Sequence, residues 1–346
     1  MGMNRSRKKI ILMKMHSLFF GMALTGALLA DTPASNQKVW IEPELAAKED
    51  PDFSIQGEYR SEGPIGQGAQ VVALGQGKFD LYMLEGGLPG DGWTSGQSRH
   101  RLSGERKGEL VVFRQEQPYI QVSLQAGTMV ITDSNRKHDT LSRIERKSPT
   151  LGATPPAGAV VLFDGSSADA WDKGRVENGF LQATSCFSKQ QFSDYQLHVE
   201  FRTPYKPLAR GQQRGNSGIY MNGRWETQVL DSFGLDGRDN ECGGVYSLSK
   251  PLLNMCYPPL SWQTYDVDFT SATFDADGKR LTWPRMTVRL NGVVVHEDLE
   301  LKKDFTASAP LARPLDSAAG PVFLQDHGNP VVYRNIWILP RNPIAK

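Results

Sequence analysis

The sequence predicts an all-β protein, a β-sandwich preceded by a small all-β domain. Strand-length runs of alternating or β-branched residues recur along the chain, Gly-rich turns separate them, and almost no segment carries an amphipathic helical period. A length of 346 residues favours two domains over one. The formal charge of +1, from 39 Lys+Arg against 38 Asp+Glu, gives no electrostatic basis for nucleic-acid binding. Only three cysteines and an ordinary charged fraction exclude a disulfide miniprotein, a disordered tail and a collagen-like fibre.

In chain order, residues 1–30 read as a secretory signal, because Arg5, Arg7, Lys8, Lys9 and Lys14 precede an apolar stretch from Leu18 to Ala30. That stretch is shorter than the roughly 20 residues of a membrane span, and no later segment could cross a bilayer. The expected location is periplasmic or secreted. Residues 31–148 hold strand-like runs at 54–59, 70–74, 79–84, 110–113, 119–124 and 128–132, the pattern of a small β domain. The glycines around 66–68 and 75–77 are turn glycines, since Phe79 stands where a phosphate-binding loop needs Ser or Thr. Residues 149–158, rich in Pro, Gly and Thr, are expected to be an extended linker. The second domain, 159–342, carries runs at 160–163, 195–201, 218–221, 225–230, 263–269, 286–290, 293–296 and 331–339. Asn291-Gly292 between two of them signals a type I′ hairpin, whose turn needs two residues that accept positive φ.

Absent motifs narrow the chemistry. No G-x-S-x-G elbow, no H-E-x-x-H and no G-x-G-x-x-G opening a helix occur, which argues against the common serine hydrolases, zincins and dinucleotide enzymes. Polar residues gather instead in Arg214, Asn216, Glu226, Gln228 and Asp231, within two adjacent predicted strands. Alternation puts Glu226 and Gln228 on one face and Asp231 on the other unless a bulge intervenes. Paired carboxylates on a sheet supply acid and base in sandwich glycosidases, while an exposed polar face is the plainer reading. Near the C-terminus Gln325, Asp326, His327 and Arg334 form a second group, with His327 on a loop before a glycine, where it suits a general base or a metal ligand. His198 and Glu200 share a strand face as metal ligands or as a mutually satisfied pair. Trp225, Trp262 and Trp283 suit either a sugar-stacking platform or the core. Cys186, Cys242 and Cys256 allow at most one intramolecular disulfide, with Cys242–Cys256 the favoured pair.

An ordered series of motifs then becomes recognisable: Leu162-Phe-Asp-Gly165, Gly215-Asn-Ser-Gly-Ile-Tyr220, Trp225-Glu-Thr-Gln-Val-Leu-Asp-Ser232, Cys242-Gly-Gly-Val-Tyr246, Trp262-Gln-Thr-Tyr-Asp266 and Leu324-Gln-Asp-His-Gly328 with Arg334-Asn-Ile-Trp337. Together, over about residues 157–342, they resemble the 3-keto-disaccharide hydrolase family. The resemblance implies a concanavalin A-like jelly-roll and cleavage of glycosides already oxidised at C3 by a separate sugar 3-dehydrogenase. It also implies catalytic roles for Glu226, His327 and Asp231, sugar contacts from Arg214, Asn216, Gln228, Gln325 and Arg334, and a divalent metal ion as a natural stabiliser of the enediolate. Two rival readings remain at this stage: a non-catalytic carbohydrate-binding surface protein, and a conventional glycosidase using Glu226 and Asp231.

Overall fold

A computed structural model describes residues 37–62 and 66–341, so the signal-like segment lies outside the described residues. Eight antiparallel strands close into a barrel in the order Gly57–Ser61, His138–Ile144, Thr128–Asp133, Tyr119–Gln125, Leu110–Glu116, Arg99–Lys107, Lys78–Leu84 and Gly68–Gly75. Closure removes the open sheet edges that would otherwise invite association. Alternate residues point inward, among them Val111, Phe113, Val122, Leu124 and Met129, to fill the barrel. Gly104 faces Phe113 across the ladder, and a Cβ there would come within 2.3 Å of the phenyl ring. The run expected as a strand at 54–59 begins instead as the short helix Pro51–Ile55, because Asp50 caps it and Pro51 is pre-set for its first turn.

The second half is a jelly-roll-like sandwich of two antiparallel sheets. The larger sheet runs Val176–Glu177, Phe180–Gln182, Val332–Pro340, Tyr195–Arg202, Gln263–Thr270, Arg285–Leu290 and Val293–Glu300, with Val160–Phe163 also paired to Val332–Pro340. The smaller runs Trp171–Asp172, Cys186–Ser188, Phe323–Leu324, Ser217–Met221 and Trp225–Val229. Leu197, Val199, Phe201 and Val267 from one sheet meet Ile219, Met221, Trp225 and Val229 from the other to form the core. The predicted hairpin turn is present, with positive φ at Asn291 and Gly292. Among the described residues no helix is long and apolar enough to cross a membrane.

Two expectations change. The segment read as a linker starts as a strap on the outer face of the larger sheet: Thr150 Oγ1 donates to Asp266 (2.7 Å), Gly152 N donates to Glu200 (2.5 Å), and Ala153 O accepts from Asn335 and Trp337. The Cys242–Cys256 bridge is not formed, and all three cysteines are free and buried. The two thiols of the expected pair are hydrogen-bonding neighbours and each has a further partner in the core, the Leu230 and Tyr257 carbonyls for Cys256 and the Tyr265 hydroxyl for Cys242, where they pack as small apolar groups.

Barrel and sandwich are joined by buried polar contacts. Arg146 makes a bidentate pair with Glu58 (2.7 and 2.6 Å) and lies over the Tyr257 ring of the sandwich. Replacing Glu58 with Gln leaves the arginine without its counter-charge in a largely dry site. Urea unfolding should show a loss of about 3 kcal/mol; a loss below about 1 kcal/mol would mean that this pair does not hold the junction.

Candidate functional site

The hairpin of Ser217–Met221 and Trp225–Val229 organises the site. Asn222 and Gly223 take positive φ in its three-residue turn, and the register sets Tyr220 opposite Glu226 and Gly218 opposite Gln228. Alternation sends Ile219, Met221, Trp225 and Val229 into the core, so Gly218, Tyr220, Glu226 and Gln228 share the outward face, as the spacing of Glu226 and Gln228 predicts. Every residue of both strands is nonetheless buried. Loops cover the outward face: Gln212 Oε1 accepts from Asn216 Nδ2 (3.1 Å) and Gln228 Nε2 (3.0 Å), and the Asn240 carbonyl accepts from Gln212 (2.8 Å).

Across the sheet a single lateral row reads Phe187, Phe323, Tyr220, Glu226. Phe187 and Phe323 have ring centroids 4.6 Å apart, and Phe323 meets Tyr220 edge-on at 5.3 Å. The row runs from half-buried Phe187 to Glu226, which is 2% exposed. The next row is Gln325, Gly218, Gln228, since Gln325 N donates to the Gly218 carbonyl (2.9 Å). The Glu226 carboxyl leans over Gly218, where a Cβ would come within 2.3 Å of Oε1. Only glycine leaves that slot open.

The electrostatics follow from burial. With no cation beside it, Glu226 is pushed up to about 7 by desolvation, against the lowering effect of the hydrogen bond from the Tyr220 hydroxyl. Burial and the neighbouring carboxylate raise the Tyr220 phenol well above its ordinary value, so it stays a donor at neutral pH. Gln325 Nε2 in turn donates to the Tyr220 oxygen (2.9 Å). The amide oxygens of Gln228 and Gln325 are buried and have no hydrogen-bond partner. Two unpaired acceptors thus flank a carboxyl that titrates near neutrality, an arrangement that matches a ligand rich in hydroxyl groups.

The other sequence-predicted residues are distributed more widely. His327 is exposed on the loop after Gln325; Asn329 ties this loop to Lys206 (2.6 Å) and to the Gly215 amide (3.3 Å), next to Asn216. Asp231 lies past the end of its strand and pairs with Arg214 (2.6 Å), and both line a cavity of about 290 Å³ shared with Val72 and Tyr82 of the barrel. Arg334 stands on the outer face of the other sheet, paired with Glu200 (2.7 Å) and stacked over Trp262. His198 is a satisfied buried histidine on the outer face of the larger sheet beneath the strap, bonded to Asp266 (2.6 Å) and stacked on Trp337. Tyr220, Gln212, Phe187 and Phe323 were not singled out by sequence reasoning, although alternation from the 222–224 turn places Tyr220 beside Glu226. For a divalent cation the donor set does not fit: one carboxyl, amides and a phenol supply too little charged oxygen. Among the described residues no group of three His, Cys, Asp or Glu side chains assembles.

Residues 158–339 match the family model of the 3-keto-alpha-glucoside-1,2-lyase-like domain. Two crystal structures of candidate glycosyl hydrolases from Parabacteroides distasonis ATCC 8503 are also similar. One is 35% identical, with the match covering 54% of this chain and 84% of that one at a TM-score of 0.49. The second is 18% identical, covering 54% and 94%, at a TM-score of 0.39. No curated protein matches the chain.

The raised Glu226 carboxyl fixes the sign of a pH effect on stability. The unfolded chain releases this proton near 4.5 and the folded chain near 7, so between those values the folded state binds the extra proton. Stability therefore falls as pH rises from about 4.5 to 7, by about 3 kcal/mol from this group. Glu226→Gln should remove that decline in denaturant titrations; parallel pH profiles of variant and parent would contradict the assignment.

Proposed function

The chain belongs to the 3-keto-alpha-glucoside-1,2-lyase-like family, and on that premise we propose that it cleaves glycosides whose C3 carbon is already a ketone. The observation that carries the proposal is the buried Glu226 carboxyl, raised to about 7 and flanked by two unpaired amide acceptors. A C3 ketone acidifies the C2 hydrogen. Glu226 removes that proton, and the C–H electron pair becomes the enediolate. The C3 carbonyl re-forms as the C1–C2 double bond appears and the C1–O bond breaks, with the departing oxygen taking up a proton. Water then adds its oxygen to C1 and a proton to C2, so the net change is hydrolysis.

Each remaining role follows from the surroundings. Tyr220, held by Gln325, keeps the Glu226 carboxyl oriented and tempers its basicity. The free oxygens of Gln228 and Gln325 accept sugar hydroxyl protons, and the Phe187–Phe323 pair leads from the surface towards the carboxyl. His327, on the exposed loop beside Gln325, is assigned to protonate the leaving group. A conventional two-carboxylate glycosidase is disfavoured, because Asp231 is neutralised by Arg214 and the hydrogen-bonded cluster around Glu226 contains no second carboxylate among the described residues. The ketone must come from a separate sugar 3-dehydrogenase. The signal-like N-terminus supports action outside the cytoplasm.

On a 3-keto glucoside, kcat/KM should rise with pH through about 7 as Glu226 ionises. Glu226→Gln should lower turnover by roughly 10²–10⁴-fold, the usual contribution of a positioned base. Tyr220→Phe removes the hydrogen bond that lowers the Glu226 pKa and should move the acid limb of the profile upward. A folded Glu226→Gln protein with full activity, or an acid limb unmoved by Tyr220→Phe, would refute these roles.

A further inference from the structure

A cleft of about 600 Å³ opens between barrel and sandwich, within the roughly 300–1,000 Å³ range of small-molecule sites. It lies on the Arg334 side of the molecule, at the outer face of the larger sheet, whereas Glu226 faces outward from the smaller one. Tyr257 and Trp262 line it from the sandwich, with Phe53 and Arg143 opposite. Trp225 is absorbed by the core, but Trp262 remains half-buried and lines this cleft.

Both rings are held in place before any ligand arrives. Arg334, fixed by the buried Glu200, lies 4.0 Å from the Trp262 centroid. Arg146, fixed by the buried Glu58, lies 5.2 Å from that of Tyr257. Pro258-Pro259 stiffens the short connection between the two aromatics. Rigid aromatic surfaces lose little conformational freedom on binding. The lining charges nearly cancel, Arg143, Arg146, Lys147 and Arg334 against Glu44, Glu58 and Glu145, so the cleft offers no strong net field to attract a phosphate or a polyanion. Apolar ring surface combined with balanced donors and acceptors suits a pyranose, which presents a C–H face and a rim of hydroxyls.

We propose that this cleft is a second, non-catalytic site that binds a neutral saccharide unit against Trp262, the sandwich aromatic of the lining that keeps exposed surface. It would keep the enzyme on a glycan independently of C3 oxidation and of Glu226. The probes are cellohexaose and maltohexaose, added to the mature protein with ¹⁵N-labelled tryptophan. The Trp262 indole resonance, identified by its absence in Trp262→Phe, should shift with at least one of them. Trp262→Ala should weaken that binding by roughly tenfold or more, the scale of losing an aromatic anchor, with turnover of a 3-keto glucoside unchanged. A Trp262 signal unmoved by both probes in the unmodified protein would overturn the proposal, even if Trp262→Ala failed to fold. Equal affinity in a folded Trp262→Ala protein would overturn it as well.

Discussion

A carboxyl buried without a cation is one of the more costly groups a sheet can carry, and much of the sandwich is arranged around one. Glu226 fits only because Gly218 has no side chain, and its one identified polar side-chain support is the Tyr220 hydroxyl. Tyr220 in turn is held by Gln325 from the next strand, and Gln325 is held by the Gly218 carbonyl. The same small set of residues therefore creates the slot, fills it and sets the protonation of what fills it. Desolvation is the dominant influence, and its effect is to place the proton affinity of Glu226 near neutral pH.

The barrel has a structural part in this arrangement. Arg99 of the barrel bonds the Gly234 carbonyl and Asp236, and Val72 packs where Gly234 has no side chain. These contacts fix the segment after Asp231, which leads to Asn240, whose carbonyl receives Gln212. Gln212 in turn holds Asn216 and Gln228. Arg214 and Asp231, paired beneath the same segment, tie it back to the start of the hairpin. A chain of direct contacts thus runs from the barrel to the cover over Glu226.

Strand positions and the shared face of Glu226 and Gln228 were legible in the sequence because alternation is a local rule that long-range packing rarely overrides in a two-sided buried hairpin. The Asn291-Gly292 turn was legible for the same reason, through its positive φ values. Asp231 was not: its place depends on Arg214, seventeen residues earlier, and on a cavity wall supplied by the barrel. Arg334 was drawn into the wrong cluster because its motif neighbours Gln325 and His327 in sequence, while the strand it occupies belongs to the opposite sheet. The helix at Pro51–Ile55 arose where a capping aspartate and a following proline prevailed over an alternating pattern too short to decide. The strap at 148–153 could not be read at all, since Pro, Gly and Thr content reports backbone stiffness and says nothing about hydrogen bonds to a distant sheet.

The central claim is that Glu226 removes a proton from C2 and not that a carboxylate attacks C1. The most direct measurement is turnover in deuterium oxide of a 3-keto glucoside and of its unoxidised parent, with the position of deuterium in the product read by NMR. The account predicts release from the keto glycoside alone, with solvent deuterium at C2 of the sugar product. Release from the unoxidised parent, or a product that keeps its original C2 hydrogen, would contradict it.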